Sequence, residues 1–356
     1  MSYKHKKYIR PEVSQMATDK SERKKKLAKA LLIIAALVAV VTVSKVLESK
    51  GIKIGADEES QGSETTSKNY SNVQEEGTNN SNIQNPEGEL ILTMIDVGQA
   101  DSFLLEQGGE VALVDCGTRS TGKDVVQYLN DHGITYIDYV FGTHPHDDHM
   151  GGMYDVITSV DVGKVIIPEV EAGTSTANWY IKLMNELSTG SYEVENPKVG
   201  DMYYLGDAEI EVIGQLSETG GNTNNYSTVM KVSFGEMDII MTGDAETEVE
   251  KVILQSGQDI SAEILKLGHH GSDTSTSDAF LDAVNPTYAL VSSKIGNKYE
   301  HPIKSTMDKL ESRNIELYRT DECGTVVATI TPTDVTFSCK PGDYLSGPEL
   351  EEREGK

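Results

Sequence analysis

Basic side chains are scarce in most of this chain. The 356 residues hold 31 Lys and Arg against 57 Asp and Glu, and residues 89–356 hold only 17 basic against 46 acidic side chains. A protein that grips many phosphates of a duplex replaces condensed counterions with Lys and Arg. A surface this negative excludes broad, tight binding of duplex DNA. Cysteine is sparse as well: Cys116, Cys323 and Cys339 allow at most one internal disulfide. There is one long apolar run, so these residues contain no multi-helix channel.

That run is Ala30 to Val43, broken only by Thr42. With its flanks, residues 27–48 reach the roughly 20 residues a membrane helix needs. Residues 1–26 form a basic tail, and no small-residue cleavage site follows the run, which predicts an uncleaved signal anchor rather than a signal peptide. The positive-inside bias keeps the basic tail in the cytoplasm and puts the remainder outside, a single-pass cell-membrane protein with its folded part extracellular. Residues 49–88 are Ser, Asn, Gln, Glu, Gly and Thr with few apolar side chains. Such a stretch does not offset its ordering entropy and is read as a flexible linker with a reach of ~35 Å. Residues 89–345 are the candidate folded domain, and 346–356 an acidic tail.

Within that domain, apolar alternation predicts strands near 90–95, 102–105, 110–114, 137–141, 164–167, 202–205, 208–213, 229–234, 238–241, 263–267, 288–291 and 316–318. Helical spacing predicts helices near 123–130, 179–187, 247–254, 277–284 and 305–312. Two further runs, 325–330 and 335–337, flank a turn at Thr331-Pro332-Thr333-Asp334. If they form a hairpin, Cys323 and Cys339 come close; a disulfide and two free thiols both remain open. Cys116 reads as a small buried apolar residue. Strands before and between helices in both halves predict two sheets face to face with helices outside.

The chemistry lies in His144-Pro145-His146-Asp147-Asp148-His149, with three imidazoles and two carboxylates in six residues. Imidazole and carboxylate bind zinc-like and manganese-like ions. His144 and His146 alternate, so on an extended segment they point the same way. Asp148 and His149 need a turn to face a second nearby point, which suggests two ions side by side. Asp115, Asp244 and the pair His269-His270 each follow an apolar strand as well, so all gather at one sheet edge. His5 and His132 read as solvated or structural. Gly268 and Gly271 let backbone approach a substrate, and Ser272 can donate to an oxyanion.

The segment Thr143–Gly152 resembles the signature of the metallo-β-lactamase fold. More narrowly, Asp96-Val97-Gly98-Gln99-Ala100-Asp101-Ser102, Asn224-Asn225-Tyr226-Ser227, Thr242-Gly243-Asp244-Ala245-Glu246, Leu267-Gly268-His269-His270-Gly271-Ser272 and Tyr299-Glu300-His301-Pro302 resemble the hydrolase domain of ComEC competence proteins. The likeness spans roughly 89–340. It implies a four-layer αβ/βα sandwich, here behind an N-terminal transmembrane helix. It also implies two divalent ions, Zn or Mn. His144 and His146 would bind one ion; Asp148, His149 and His270 the other; Asp244 would bridge them. Asp115 would fix a ligand imidazole from behind. Asp148, His269 and His301 would serve the catalytic step, His301 holding a phosphate or protonating a leaving group. Asn225, Ser227 and Ser272 would face substrate. The division of roles between His269 and His270 stays open.

Two departures matter. No histidine occurs between His149 and His269, where many members of the fold carry another ligand, so the first ion has fewer protein ligands. Ala100 stands where the ComEC pattern usually has Gly. The expected activity is metal-dependent hydrolysis of a phosphodiester, in single-stranded nucleic acid, a nucleotide or a phosphorylated ester, by a two-metal-activated water. A lactone- or β-lactam-type hydrolase of the same fold is the alternative, as is a tethered binding module with an inactive site.

Overall fold

A computed structural model describes residues 86–171 and 177–355. The basic tail, the anchor at 27–48 and nearly all of the linker lie outside the described residues. Among the described residues, no helix is long and apolar enough to cross a membrane.

Among the described residues, fifteen strands form two sheets. The first holds β1 (Leu90–Met94), β2 (Phe103–Gln107), β3 (Glu110–Val114), β4 (Tyr136–Phe141), β5 (Asp161–Ile166) and β6 (Glu193–Glu195), with β14 (Val326–Thr331) and β15 (Asp334–Phe337) returning beside β1. The second runs from β7 (Met202–Leu205) through β8 (Ala208–Gly214), β9 (Val229–Phe234), β10 (Met237–Met241), β11 (Ile264–Lys266) and β12 (Tyr288–Val291) to β13 (Glu316–Arg319). Strands β3 to β6 are mutually parallel, as are β10 to β13.

Side-chain alternation builds the layers. Leu90, Leu92 and Met94 of β1 point into a core shared with Ile210, Val232 and Ile239 of the second sheet. The opposite face of the first sheet, with Leu104, Leu113 and Val140, packs on α1 (Gly122–Asp131), α3 (Met153–Ile157) and α4 (Asn178–Thr189); the short α2 (Asp147–Met150) lies between α1 and α3 in the chain. The outer face of the second sheet, with Ile240, Leu265 and Ala289, packs on α5 (Thr247–Ser256), α6 (Asp278–Val284) and α7 (Lys304–Arg313). The result is helix, sheet, sheet, helix, as the strand and helix pattern implied.

Local chemistry explains the boundaries. The Ser277 side chain accepts from Phe280 N at 3.3 Å and caps α6. The hairpin of β14 and β15 forms, and Cys323 and Cys339 are bonded with Cα atoms 6.4 Å apart. Cys116 is fully buried. The carboxyl-terminal segment departs from the acidic-tail reading. Residues Gly347–Glu354 form α9, following α8 (Thr320–Cys323), with a capping box between Ser346 and Glu349. Leu350 is fully buried, and Gly347 N donates to Pro302 O at 2.9 Å, so the acidic residues are the outer face of a docked helix. Residues 86–88, taken as linker, are already tied to the domain: Glu87 N donates to Asp207 Oδ2 at 2.9 Å.

Candidate metal centre

The parallel strands deliver the site. β3 ends at Asp115, whose backbone adopts φ 60°, and its carboxylate accepts from Thr143 N at 2.8 Å and Thr143 Oγ1 at 2.7 Å. β4 ends at Phe141, and the chain then runs through His144 to His146, which starts α2. The turn that Asp148 and His149 require is this single helical turn. It is held close by Cys116 N donating to His149 O at 2.7 Å and Asp101 N to Asp148 O at 2.9 Å. Gly152 is glycine because a Cβ there would lie 2.1 Å from Cys116 O and 2.6 Å from Gly122 Cα. From the second sheet, β10 supplies Asp244 and β11 supplies His269 and His270. Both histidines have left-handed backbone, at φ 49° and 53°. Such strain in consecutive non-glycine residues is characteristic of functional sites.

Two ligand groups result. His144, His146 and Asp244 present atoms all within 4.8 Å of one another, and so do Asp148, His149 and His270. His149 Nε2 lies 3.1 Å and His270 Nε2 3.8 Å from Asp244 Oδ1, while His144 Nε2 lies 3.8 Å from Asp244 Oδ2. Asp244 therefore faces both groups. His149 Nε2, His270 Nε2 and Asp244 Oδ1 are buried without a hydrogen-bond partner. Orphaned buried atoms of this kind are costly unless something else satisfies them. Nitrogen and oxygen donors converging from three elements fit divalent cations. A third grouping, Asp101 with His149 and Asp244, is equally tight. It does not make a third cation site, because Asp101 stands beside the Nδ1 atoms of His149 and His270, at 3.7 and 3.4 Å, behind the rings.

The far nitrogens of His149, His270 and His144 are engaged. Asp115 holds His149 Nδ1 at 2.7 Å, Ser292 O holds His270 Nδ1 at 3.0 Å, and Ser227 Oγ holds His144 Nδ1 at 3.2 Å. Such contacts fix tautomer and ring direction. Burial, with the neighbouring imidazole charge of His149, holds His144 well below the ordinary histidine range, the direction that suits a neutral imidazole. Burial also opposes a charge on His149, but the carboxylates of Asp244 and Asp115 outweigh it and raise its pKa well above the usual value. Burial opposes ionisation of Asp244 too, and is overcome by His149 and His270, leaving a carboxylate far more acidic than usual.

Above the ligands is a cavity of about 340 Å³, walled by His146, Asp148, His269, His301, Asn224 and Tyr299 among others. His269 and His301 stand edge to face with ring centroids 5.3 Å apart. Burial, helped by the charges of His270 and His269, lowers His301 to about 4.

Residues 95–293 match the metallo-beta-lactamase superfamily. This chain belongs to that superfamily. Among curated proteins, this metallo-β-lactamase chain is 29% identical over 273 residues to ComE operon protein 3 of Bacillus subtilis, covering 72% of this chain and 34% of that protein. It is 30% identical over 241 residues to competence protein ComA of Neisseria gonorrhoeae, covering 67% of this chain and 32% of the other. The chain thus spans about a third of the length of these relatives. Among solved structures, YhfI of Bacillus subtilis aligns with a TM-score of 0.42 at 12% identity, over 65% of this chain and 96% of that one.

Three residues expected at the substrate lie elsewhere in this metallo-β-lactamase domain. Ser227 is fully buried behind the ligands, where its hydroxyl also accepts from Asp244 N at 3.0 Å. Asn225 accepts from Glu246 N at 3.1 Å and braces the start of α5. Ser272 bonds Thr274 Oγ1 at 3.1 Å within its own turn. Each is a short polar side chain in a tight turn, and local backbone and turn partners claim it first. Four residues received no role from the sequence, three of them within the motifs. Asn224 and Tyr299 line the cavity. Lys266 is buried, with Nζ 2.6 Å from Asp101 Oδ2, 3.0 Å from Gly243 O and 3.9 Å from Asp244 Oδ1. Asp101 also receives a very short hydrogen bond from Ser292. A lone lysine closing an apolar strand was the available signal for Lys266.

Proposed function

We propose that this protein is a metal-dependent phosphodiester hydrolase working with two divalent ions, zinc or manganese. His144, His146 and Asp244 would hold one; Asp148, His149, His270 and Asp244 the other. The convergence of three orphaned buried donors, on His149, His270 and Asp244, carries this reading. When bound, a pair of ions supplies Lewis acidity to an attacking water and to the phosphoryl oxygens. The chain's own groups do the rest. Asp115, Ser227 and Ser292 orient the imidazoles. Lys266 and Asp101 set a fixed charge pair beneath Asp244. His301, neutral at working pH and beside His269, can accept a hydrogen bond from a water or donate one to a leaving oxygen.

The names of the competence relatives support nucleic acid as the source of the phosphodiester, and the acidic surface favours single strands or nucleotides over duplex. The basic tail and apolar run support anchoring in the cell membrane with the domain outside. Purified protein loaded with manganese or zinc is expected to cleave bis(p-nitrophenyl) phosphate, and His146→Ala to abolish cleavage. Absence of hydrolysis with every divalent ion tested, or faster turnover of a lactone than of the phosphodiester, refutes the assignment. Protease added to intact cells should remove the domain if it is outside.

A further inference from the structure

Tyr299 is a large aromatic residue that is both half exposed, at 49%, and part of the wall of the catalytic cavity. Its ring lies nearly parallel to His301, centroids 5.7 Å apart and planes at 25°. His301 is itself 7% exposed, and its Nδ1 is buried without a hydrogen-bond partner. Next to Tyr299, the exposed Lys298 places Nζ 4.6 Å from the ring centroid and within electrostatic reach of Asp148.

The turn holding these groups is built. Asn297 Nδ2 donates to Lys294 O at 2.9 Å and His301 O at 2.6 Å, while its Oδ1 accepts from Tyr299 N and His301 N, each at 3.1 Å. A loop with both its ends tied to one amide holds the backbone that carries the ring, and an anchored backbone has little ordering entropy left to lose on binding.

We propose that Tyr299 is a stacking platform for a nucleobase next to the scissile phosphate, with Lys298 engaging an adjoining phosphate. The inference deepens the phosphodiesterase reading and takes from it the anionic substrate. A half-exposed aromatic ring with an ammonium 4.6 Å above it suits a ligand combining a flat ring, which takes the place of the ammonium on the face, and an anion, which the displaced ammonium meets. It disfavours a quaternary-ammonium phosphoester, whose cation would meet Lys298. Stacking on a single ring is tolerant of base identity, because every base has a π-face, so the platform selects bases without selecting sequence.

The test is equilibrium binding of the full chain, in manganese, to hydrolysis-resistant phosphorothioate pentamers: a pentathymidylate and an abasic pentamer of equal charge. The native protein is expected to bind the thymidylate roughly tenfold tighter, the order of ratio that one stacked base supplies. Tyr299→Leu should bind both equally, Tyr299→Phe should keep the preference, and Lys298→Met should weaken both by the same factor. Equal binding of the two pentamers by native protein, a preference that survives Tyr299→Leu, or no measurable binding overturns the proposal. Base preference in a protein that hydrolyses no phosphodiester would sink the catalytic reading and leave the platform standing.

Discussion

Asp115 Oδ2 lies 2.7 Å from His149 Nδ1 on the side of the ring away from Asp244, so one carboxylate dictates where the imidazole's other nitrogen points. The two residues are 34 positions apart. They meet because β3 and β4 are adjacent parallel strands that both end at this edge. In Asp115→Asn, the amide is isosteric but uncharged and no longer strengthens His149 as a donor. Metal affinity of the Asp148–His149–His270 group should fall about 10- to 100-fold, measured by competition with a chromophoric chelator. Unchanged affinity would mean that the contact is incidental.

Lys266 and Asp101 form an ion pair with almost no solvent contact. Removing the ammonium alone leaves a buried carboxylate without its counter-charge. Lys266→Met should cost about 3–5 kcal/mol in urea unfolding. Replacing both partners, Lys266→Met with Asp101→Leu, should recover much of that loss. A double variant no more stable than the single one would contradict the account.

Gly152 is crowded by Cys116 O and Gly122 Cα, so any side chain there must push the start of α3 away from α1. Gly152→Ala should lose about 1–3 kcal/mol by overpacking and misplace His149. Thermal unfolding together with metal content would show both effects. A variant with native melting temperature and full metal loading would refute the crowding argument.

The Cys323–Cys339 bond closes a loop of sequence separation 16 around the β14–β15 hairpin. Closing a loop of this size restricts the unfolded chain by about 3 kcal/mol. Urea midpoints measured with and without reductant should differ accordingly, while Cys116→Ser, outside the bond, should leave that difference intact.

His301 is held near pKa 4 by burial, below its ordinary 6.5. Between those values the unfolded chain carries the extra proton and the folded one does not. Stability of the metal-free protein should therefore rise as pH increases from about 4 to 6.5, and fall on acidification through the same window. An NMR titration of the His301 ring should find its midpoint near the lower end. A midpoint at 6 or above would show the ring to be solvated.

The strands and helices of the domain were readable because their patterns are strong: continuous apolar runs in β1 and β2, period two in β7 and β14, and a buried Val125 and Leu129 stripe in α1. The histidine cluster, Asp244 and His270 were readable for a different reason. Their chemistry is unusual, and each follows an apolar strand at a turn. Ser227, Asn225 and Ser272 were misread as facing substrate because sequence position says that a residue is near a site, not which side of the ligands it occupies. The sequence shows 346–356 only as an acidic tail, because one leucine among charges is a weak pattern until its docking surface is known.

Local composition and apolar runs along the chain thus sufficed for two facing sheets, helices outside and a gathering of histidines and carboxylates at one edge, since those properties depend on neighbours within a few residues. Only tertiary packing decided that Asp101 and Lys266 pair beneath Asp244, that Ser227 backs His144, and that Tyr299 overlooks the cavity. Each of those contacts joins segments tens to hundreds of residues apart or rests on the facing of one turn, and distances of that kind are set by how the sheets stack rather than by any local preference.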